Sequence, residues 1–313
     1  MRLKNAFISA MLGSASLLAL SNAALAAPGG AGTSNGPVTE AGETIGLALG
    51  AALPQGVYFV DTASVVHNPQ KNGSATLDVM VNIPVVAWST PWDLLGGHIE
   101  AYGALPEAVV DSSGLGSAKP FGGSAGLYNP AFLVGEAWKL GGNFHFSNFV
   151  GGYAPISQPG FSYANATNNV WTFNERAALT YLNDGWNITG HMVWGTSTAT
   201  TNANQTNSKG VSCARTSCQR ADYVNFDFAA LKTLGKWEIG PVAYYAGDSS
   251  TTSDNLPGNQ QFALGAFAGY AFGPLTVQSY ITHDVSASTG HLLGGEDTRF
   301  FLRFVVPLWN PAK

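Results

Sequence analysis

Val170-Trp171-Thr172-Phe173-Asn174-Glu175-Arg176-Ala177-Ala178-Leu179-Thr180-Tyr181-Leu182, the turn Asn183-Asp184-Gly185, then Trp186-Asn187-Ile188-Thr189-Gly190-His191-Met192-Val193-Trp194 is the stretch that decides the fold. Trp171, Phe173, Ala177, Leu179 and Tyr181 fall on one face, and Thr172, Asn174, Arg176 and Thr180 on the other; Glu175 is the exception on the apolar face. A period of two is the signature of a strand. After Asn183-Asp184-Gly185, a favoured hairpin turn, Trp186, Ile188, Met192 and Trp194 alternate with Asn187, Thr189 and His191, so the two runs read as a hairpin.

The unit recurs. Val224, Phe226 and Phe228 alternate with Asn225 and Asp227, the chain turns at Leu234-Gly235-Lys236, and Trp237, Ile239, Ala243 and Tyr245 follow. Phe272-Gly273-Pro274 joins a run beginning near Gln261 to one in which Leu275, Val277 and Ile281 alternate with Thr276, Gln278 and Thr282. The last run sets Phe300, Leu302, Phe304, Val306 and Leu308 against Arg299 and Arg303. Strands are expected near 56–67, 75–88, 95–109, 129–139, 143–153, 168–182, 185–198, 221–233, 236–247, 260–271, 274–285 and 297–308. They number about twelve, with ten or fourteen as neighbouring solutions. The connections alternate between short turns (near 92, 141, 184, 235 and 273) and long polar stretches (111–127, 155–167, 199–220, 248–259 and 286–296). Short turns on one rim and long loops on the other is the plan of a transmembrane antiparallel up-and-down β-barrel. It predicts external long loops and both chain ends in the periplasm.

Composition agrees with an all-β membrane protein. Charged residues are 11% of the chain, where a soluble domain averages about 25%, and glycine accounts for 38 of 313 residues, against a usual share of about 7%. A barrel needs an apolar exterior and tightly curved strands, which explains both. Of the eight tryptophans, Trp88, Trp92, Trp138, Trp186, Trp237 and Trp309 lie beside short turns or the last strand end, and Trp171 and Trp194 lie at the opposite ends. Two interfacial girdles in contact with outer-membrane lipid are expected from this. A soluble two-sheet sandwich would centre several tryptophans in its core.

The ends carry processing signals. Arg2 and Lys4 precede an apolar run from Ala6 to Leu20 and the small-residue stretch Ser21 to Ala27, with Ala24-Leu25-Ala26 as cleavage site, so residues 1–26 are expected to be a signal peptide. Cleavage leaves 12 basic against 19 acidic residues, a net charge of about −7, which disfavours nucleic acid as a partner. Residues 27–55, rich in glycine and small side chains and containing Pro28, Pro37 and Pro54, form no convincing strand and are expected to be a periplasmic lead-in or a lumenal segment. The barrel is assigned to 56–309 and a short tail to 310–313. Cys213 and Cys218 lie in the polar stretch 196–219; in an oxidising compartment they are expected to form a small surface disulfide, while a metal or redox pair lacks the Cys-x-x-Cys spacing and neighbouring ligands.

Several motifs carry a family resemblance: Leu53-Pro54-Gln55-Gly56-Val57-Tyr58-Phe59, the runs Thr172–Glu175 and Tyr181–Thr189, Lys236-Trp237-Glu238-Ile239-Gly240-Pro241, and Arg303-Phe304-Val305-Val306-Pro307-Leu308-Trp309. Through them the chain resembles the outer-membrane proteins grouped under the meta-pathway of phenol degradation. The resemblance implies a barrel and passage of small aromatic or apolar compounds. Many outer-membrane barrels end on an aromatic residue, whereas here Asn310-Pro311-Ala312-Lys313 follow Trp309.

A transport function needs polar groups in the lumen. Strand parity nominates Asp78, Asn82, Glu100, Glu136, Arg176, His191, Asn225, Asp227, Arg299 and Arg303, either lining a route or paired as structural ion pairs. Their mixed signs oppose a strongly ion-selective pore. An enzyme is not expected: the histidines His67, His98, His145, His191, His283 and His291 lie in no motif that places a nucleophile and an acid around them. No cofactor box, nucleotide motif or metal cluster is visible. The expected function is an outer-membrane channel or facilitator for a small-molecule solute. The alternative is a surface protein whose 199–220 loop binds a partner.

Overall fold

The structure is a computed structural model that describes residues 38–69, 76–113, 124–155, 170–199, 221–250, 258–288 and 295–311. The alternation at 172–194 is repeated in β1 (Gly56–Pro69), β2 (Thr76–Leu94), β3 (Gly97–Ala104), β4 (Glu107–Ser113), β5 (Ser124–Leu127), β6 (Ala131–Gly141) and β7 (Phe144–Tyr153). It continues through β8 (Thr172–Asn183), β9 (Trp186–Ser197), β10 (Tyr223–Leu234), β11 (Trp237–Asp248), β12 (Gln260–Ala271), β13 (Thr276–Ala287) and β14 (Thr298–Trp309). Neighbours in sequence pair antiparallel, and β1 pairs with both β14 and β2, which closes the sheet and removes its edges.

Twelve spans make the barrel. β3 and β4 form one span interrupted at Leu105-Pro106, and β5 and β6 another interrupted at residues 128–130; both halves of the first pair with β2. Pro84, Pro106 and Pro130 lie one per strand across these three spans. None can donate to the ladder, but each carbonyl accepts a neighbour's N–H: Leu105 N to Pro84 O (3.3 Å), Tyr128 N to Pro106 O (2.8 Å) and Ala154 N to Pro130 O (3.0 Å). The sheet stays continuous where the strands break.

Tight turns line one rim, at Leu95-Gly96, Gly142-Asn143, Asp184-Gly185 and Gly235-Lys236, with 272–275 between β12 and β13. Asp184 (φ 46°) and Gly185 (φ 72°) have the paired left-handed geometry that matches strand twist. The turn expected near 92 lies at Leu95-Gly96 instead. β2 continues through Pro91 to Leu94 past an irregularity between Ser89 and Asp93. The signal peptide, the loop around Cys213 and Cys218, and the last two residues of the C-terminal tail lie outside the described residues.

Outward positions form an apolar belt that includes Phe132, Val134, Leu179, Phe226, Phe228, Leu264, Ile281 and Phe300, all exposed to the surroundings of the barrel. Trp88, Trp138, Trp186, Trp237 and Trp309 face outward near the short-turn rim, while Trp171 and Trp194 lie toward the other. Lys232 and Lys236 place their ammonium groups over the Trp186 and Tyr270 rings, at 5.2 and 6.0 Å. Such an aromatic and cationic rim fits the headgroup level of a bilayer.

The inside is filled. Residues 38–53 run along the lumen in successive tight turns (Ile45 N to Gly42 O 3.2 Å, Leu47 N to Thr44 O 3.2 Å, Ala51 N to Ala48 O 2.9 Å). Thr39 sits against Tyr153 and Tyr223, at the long-loop ends of β7 and β10, and Leu53 against Glu100 on β3. The described chain thus begins near the rim opposite the one from which β1 starts. Leu47, Leu49 and Leu53 pack into one core with Val60, Val79, Val81, Ile83 and Val85, and Ile45 into a second with Leu231, Tyr244, Phe267 and Phe301. Burying each leucine contributes about 1.5–3 kcal/mol toward holding the segment inside.

Candidate lumenal site

A polar wall carried by β8–β10 and β13–β14 holds the segment by charge and hydrogen bonds. Arg303, fully buried on β14, donates from Nε to Thr62 Oγ1 (2.9 Å), from Nη1 to the Ile45 carbonyl (2.7 Å) and Gln278 Oε1 (3.0 Å), and from Nη2 to the Glu43 carbonyl and the Tyr280 hydroxyl. Arg176 on β8 donates to Glu43 Oε1 (3.0 Å) and to the Tyr153 hydroxyl (2.8 Å). Arg299 pairs with Asp297 Oδ2 at 2.6 Å and reaches Glu40 Oε1 at 3.9 Å. Arg176 and Arg299 therefore face the carboxyls of Glu43 and Glu40, while Arg303 directs its donors to neutral oxygens of the wall and the segment.

Asp227 on β10 accepts the Gly42 N–H (3.0 Å), the Thr44 N–H (3.1 Å) and the Thr44 hydroxyl, and that hydroxyl also contacts His191 Nδ1 at 2.8 Å. Although Thr, His and Asp meet here, the hydroxyl lies between the two others instead of beside a base oriented by an acid, and the space around them admits no water. The contact anchors the segment. Asn225 donates to the Thr39 carbonyl (3.0 Å), and Glu100 accepts the Leu53 N–H (2.6 Å) and the Tyr102 hydroxyl. Burial pushes the Glu40 carboxyl up to about 7, against Arg299 and the Ser64 hydroxyl, and raises Glu43 well above the usual carboxylate range despite Arg176.

Glu100, Arg176, His191, Asn225, Asp227, Arg299 and Arg303 thus share the lumen, and all of them except Asp227 are at most 4% exposed. Asp78, Asn82 and Glu136 are corrections: all three project outward. On β2 the inward positions are Val79, Val81, Ile83 and Val85, which pack with Leu47, Leu49 and Leu53, so this strand is apolar on its lumenal face as well as at Met80, Val86 and Trp88 outside. Asp78 instead meets His67 on the outer face (2.6 Å), where both side chains are half exposed. Glu136 is two residues from Trp138 and shares its outward face; both approach the site where a Gly97 side chain would begin.

Strand reading overlooked Glu40 and Glu43, which belong to no strand, and the inward Tyr153, Tyr223, Tyr244 and Tyr280, whose rings look apolar in an alternation count. It also overlooked Glu238, whose polar position between Trp237 and Ile239 carries the same signal used elsewhere. Glu238 lines a cavity of about 500 Å³ at the short-turn end, under Ala48, with Asn187, Gln278, Gly269 and Lys236.

A closed, edge-free antiparallel barrel with an apolar belt, aromatic rims and a polar, plugged interior defines a bacterial outer-membrane β-barrel. Residues 52–300 match the family model described as Putative MetA-pathway of phenol degradation, and the chain belongs to that family. Among solved structures it is similar to an outer-membrane channel from Pseudomonas putida F1 (TM-score 0.62, 16% identity, covering 82% of this chain and 97% of that one). It is also similar, more distantly, to the β-domain of the Bordetella autotransporter BrkA (TM-score 0.46, 12% identity, covering 80% and 99%). No curated protein matches it.

Proposed function

We propose that this barrel is a channel for facilitated diffusion of small aromatic or apolar molecules across the outer membrane, in contact with membrane lipid and without catalysis of its own. One observation carries the reading: residues 38–53 fill the lumen with buried contacts yet leave a cavity of about 500 Å³ at the short-turn end. A twelve-span barrel is narrower than the 16 to 18 strands of open porins. With a segment inside it, it suits neither bulk water nor sugars. The mixed apolar and amide lining of the cavity suits a ring-sized solute, and membership of a family named for phenol catabolism supports an aromatic one. In the periplasm-facing orientation expected from the turns, the cavity is the exit side of the route.

Swelling of liposomes containing the refolded mature barrel tests this, comparing a small aromatic with a sugar of similar mass. Faster entry of the aromatic is expected. Equal entry would make the protein a general pore, and entry of neither, with heat-modifiable gel migration showing a folded barrel, would overturn the channel reading.

A further inference from the structure

Every carboxylate of the described lumen except one has a close donor. Glu40 and Glu43 face arginines, Asp227 accepts two backbone N–H groups and a hydroxyl, Glu100 accepts the Leu53 N–H, and Asp284 accepts the Asp297 N–H at 3.0 Å. Glu238 is the exception. Its closest donor is the Asn187 amide at 3.4 Å, and no cation among the described residues lies within ion-pair distance. Glu238 is half-buried, so its carboxylate meets water in the cavity it lines, and a solute donor that displaces that water keeps a hydrogen bond to it.

The position adds a second observation. Glu238 is on the wall of the 500 Å³ cavity, a volume within the usual range for small-molecule sites. The lumenal segment borders the cavity on the inner side: the Gly46 carbonyl takes the Asn187 and Gln278 amides at 3.4 and 3.5 Å, and Ala48 lines the space. Asn187 and Gln278 are therefore already committed to the segment, and Glu238 is the acceptor left facing the space. Gly269, with no side chain, leaves a flat wall beside it. Lys236 at the rim faces the Tyr270 ring, 6.0 Å from its centroid.

We infer that this cavity is a binding station whose Glu238 accepts a hydrogen bond from the solute, selecting small apolar molecules that carry one donor head, a hydroxyl or an ammonium, over unsubstituted hydrocarbons and carboxylates. The inference rests on the channel reading and deepens it. A donor head satisfies Glu238 while the apolar body covers Gly269 and Ala48. A hydrocarbon leaves the carboxylate as it was, and an anion meets like charge.

Fluorine NMR of the refolded barrel in nanodiscs tests this with 4-fluorophenol, 4-fluorobenzylamine, 4-fluorotoluene and 4-fluorobenzoate. Saturable broadening is expected for the phenol, the amine or both, which identifies the head, and not for the toluene or benzoate. Glu238→Leu should weaken the donor-bearing probe about tenfold, as loss of a charge-assisted hydrogen bond does. Glu238→Gln keeps the volume and an acceptor oxygen, so it guards against misfolding of the leucine variant; it should weaken the phenol several-fold and the amine more than tenfold. Donor-bearing probes that bind wild type and both variants alike, benzoate as the tightest ligand, or no saturable binding in a folded barrel would each overturn the inference. Binding without solute entry in the same lipid would leave the station standing and overturn the channel reading, whereas entry without binding would do the reverse.

Discussion

Arg303 engages all five of its N–H groups with acceptors from β1, β13 and the lumenal segment, so it joins the wall to the plug at a single point. Replacing it by methionine fills similar space but leaves the Ile45 and Glu43 carbonyls without that donor. Arg303→Met is expected to cost about 3 kcal/mol in urea unfolding followed by tryptophan fluorescence in lipid. Leu95 offers the opposite sign. It sits at a turn position with φ 50° and is 87% exposed, where Asp184 occupies the equivalent place in the β8–β9 turn. Asparagine tolerates that left-handed geometry better than leucine, so Leu95→Asn should stabilise the barrel by about 0.5–1 kcal/mol in the same assay. At this scale parity was legible: once Trp138 is assigned outward, Glu136 two residues away cannot be lumenal.

The lumenal segment is the element that fills the route proposed above. Its conformation relies on Gly46, whose φ is 90° and whose missing Cβ would fall 2.3 Å from the Phe267 ring. Glu40 makes the hold pH-dependent. Its carboxyl stays protonated inside up to about 7 but ionises near its ordinary 4.5 once released, so its contribution is full below about 4.5 and lost as pH rises through about 7. Arg299, Ser64, Asp227 and Asp297 surround it and set that balance. Aromatic entry into liposomes should therefore be faster at pH 8 than at pH 5, and Glu40→Gln should flatten the difference. The segment was hidden from a strand count because tight turns of Gly, Thr and Glu have neither a period of two nor one of 3.6.

For the whole molecule, closure through the β1–β14 and β1–β2 pairings makes the barrel independent of its plug for backbone hydrogen bonding. Deleting residues 38–50 should leave a heat-modifiable barrel that admits sugar as readily as aromatic solute, checked by swelling. An unfolded product would mean instead that the apolar core around Leu47 and Leu49 is needed to form the sheet. The row Pro84, Pro106 and Pro130 crosses three spans at which the ladder lacks donors. Amides beside it should exchange hydrogen faster than those of β8–β11, as mass spectrometry of peptides would show.

Alternation over 172–194, its recurrence to Trp309, and the short-turn, long-loop rhythm were enough to specify an antiparallel membrane barrel of about twelve spans. In a strand these patterns are local: successive side chains must face opposite ways, and a lipid-facing surface must be apolar. The lumenal charges from Arg176 to Arg303 followed from the same rule. Why β2 turns an apolar face into the lumen was decided by the tertiary structure alone. Asp78 and Asn82 lie outside because Val79 to Val85 pack against Leu47, Leu49 and Leu53, partners brought from a segment with no periodicity of its own. An apolar plug makes an apolar lumen wall favourable, and that preference arises only once the chain folds back into its own barrel.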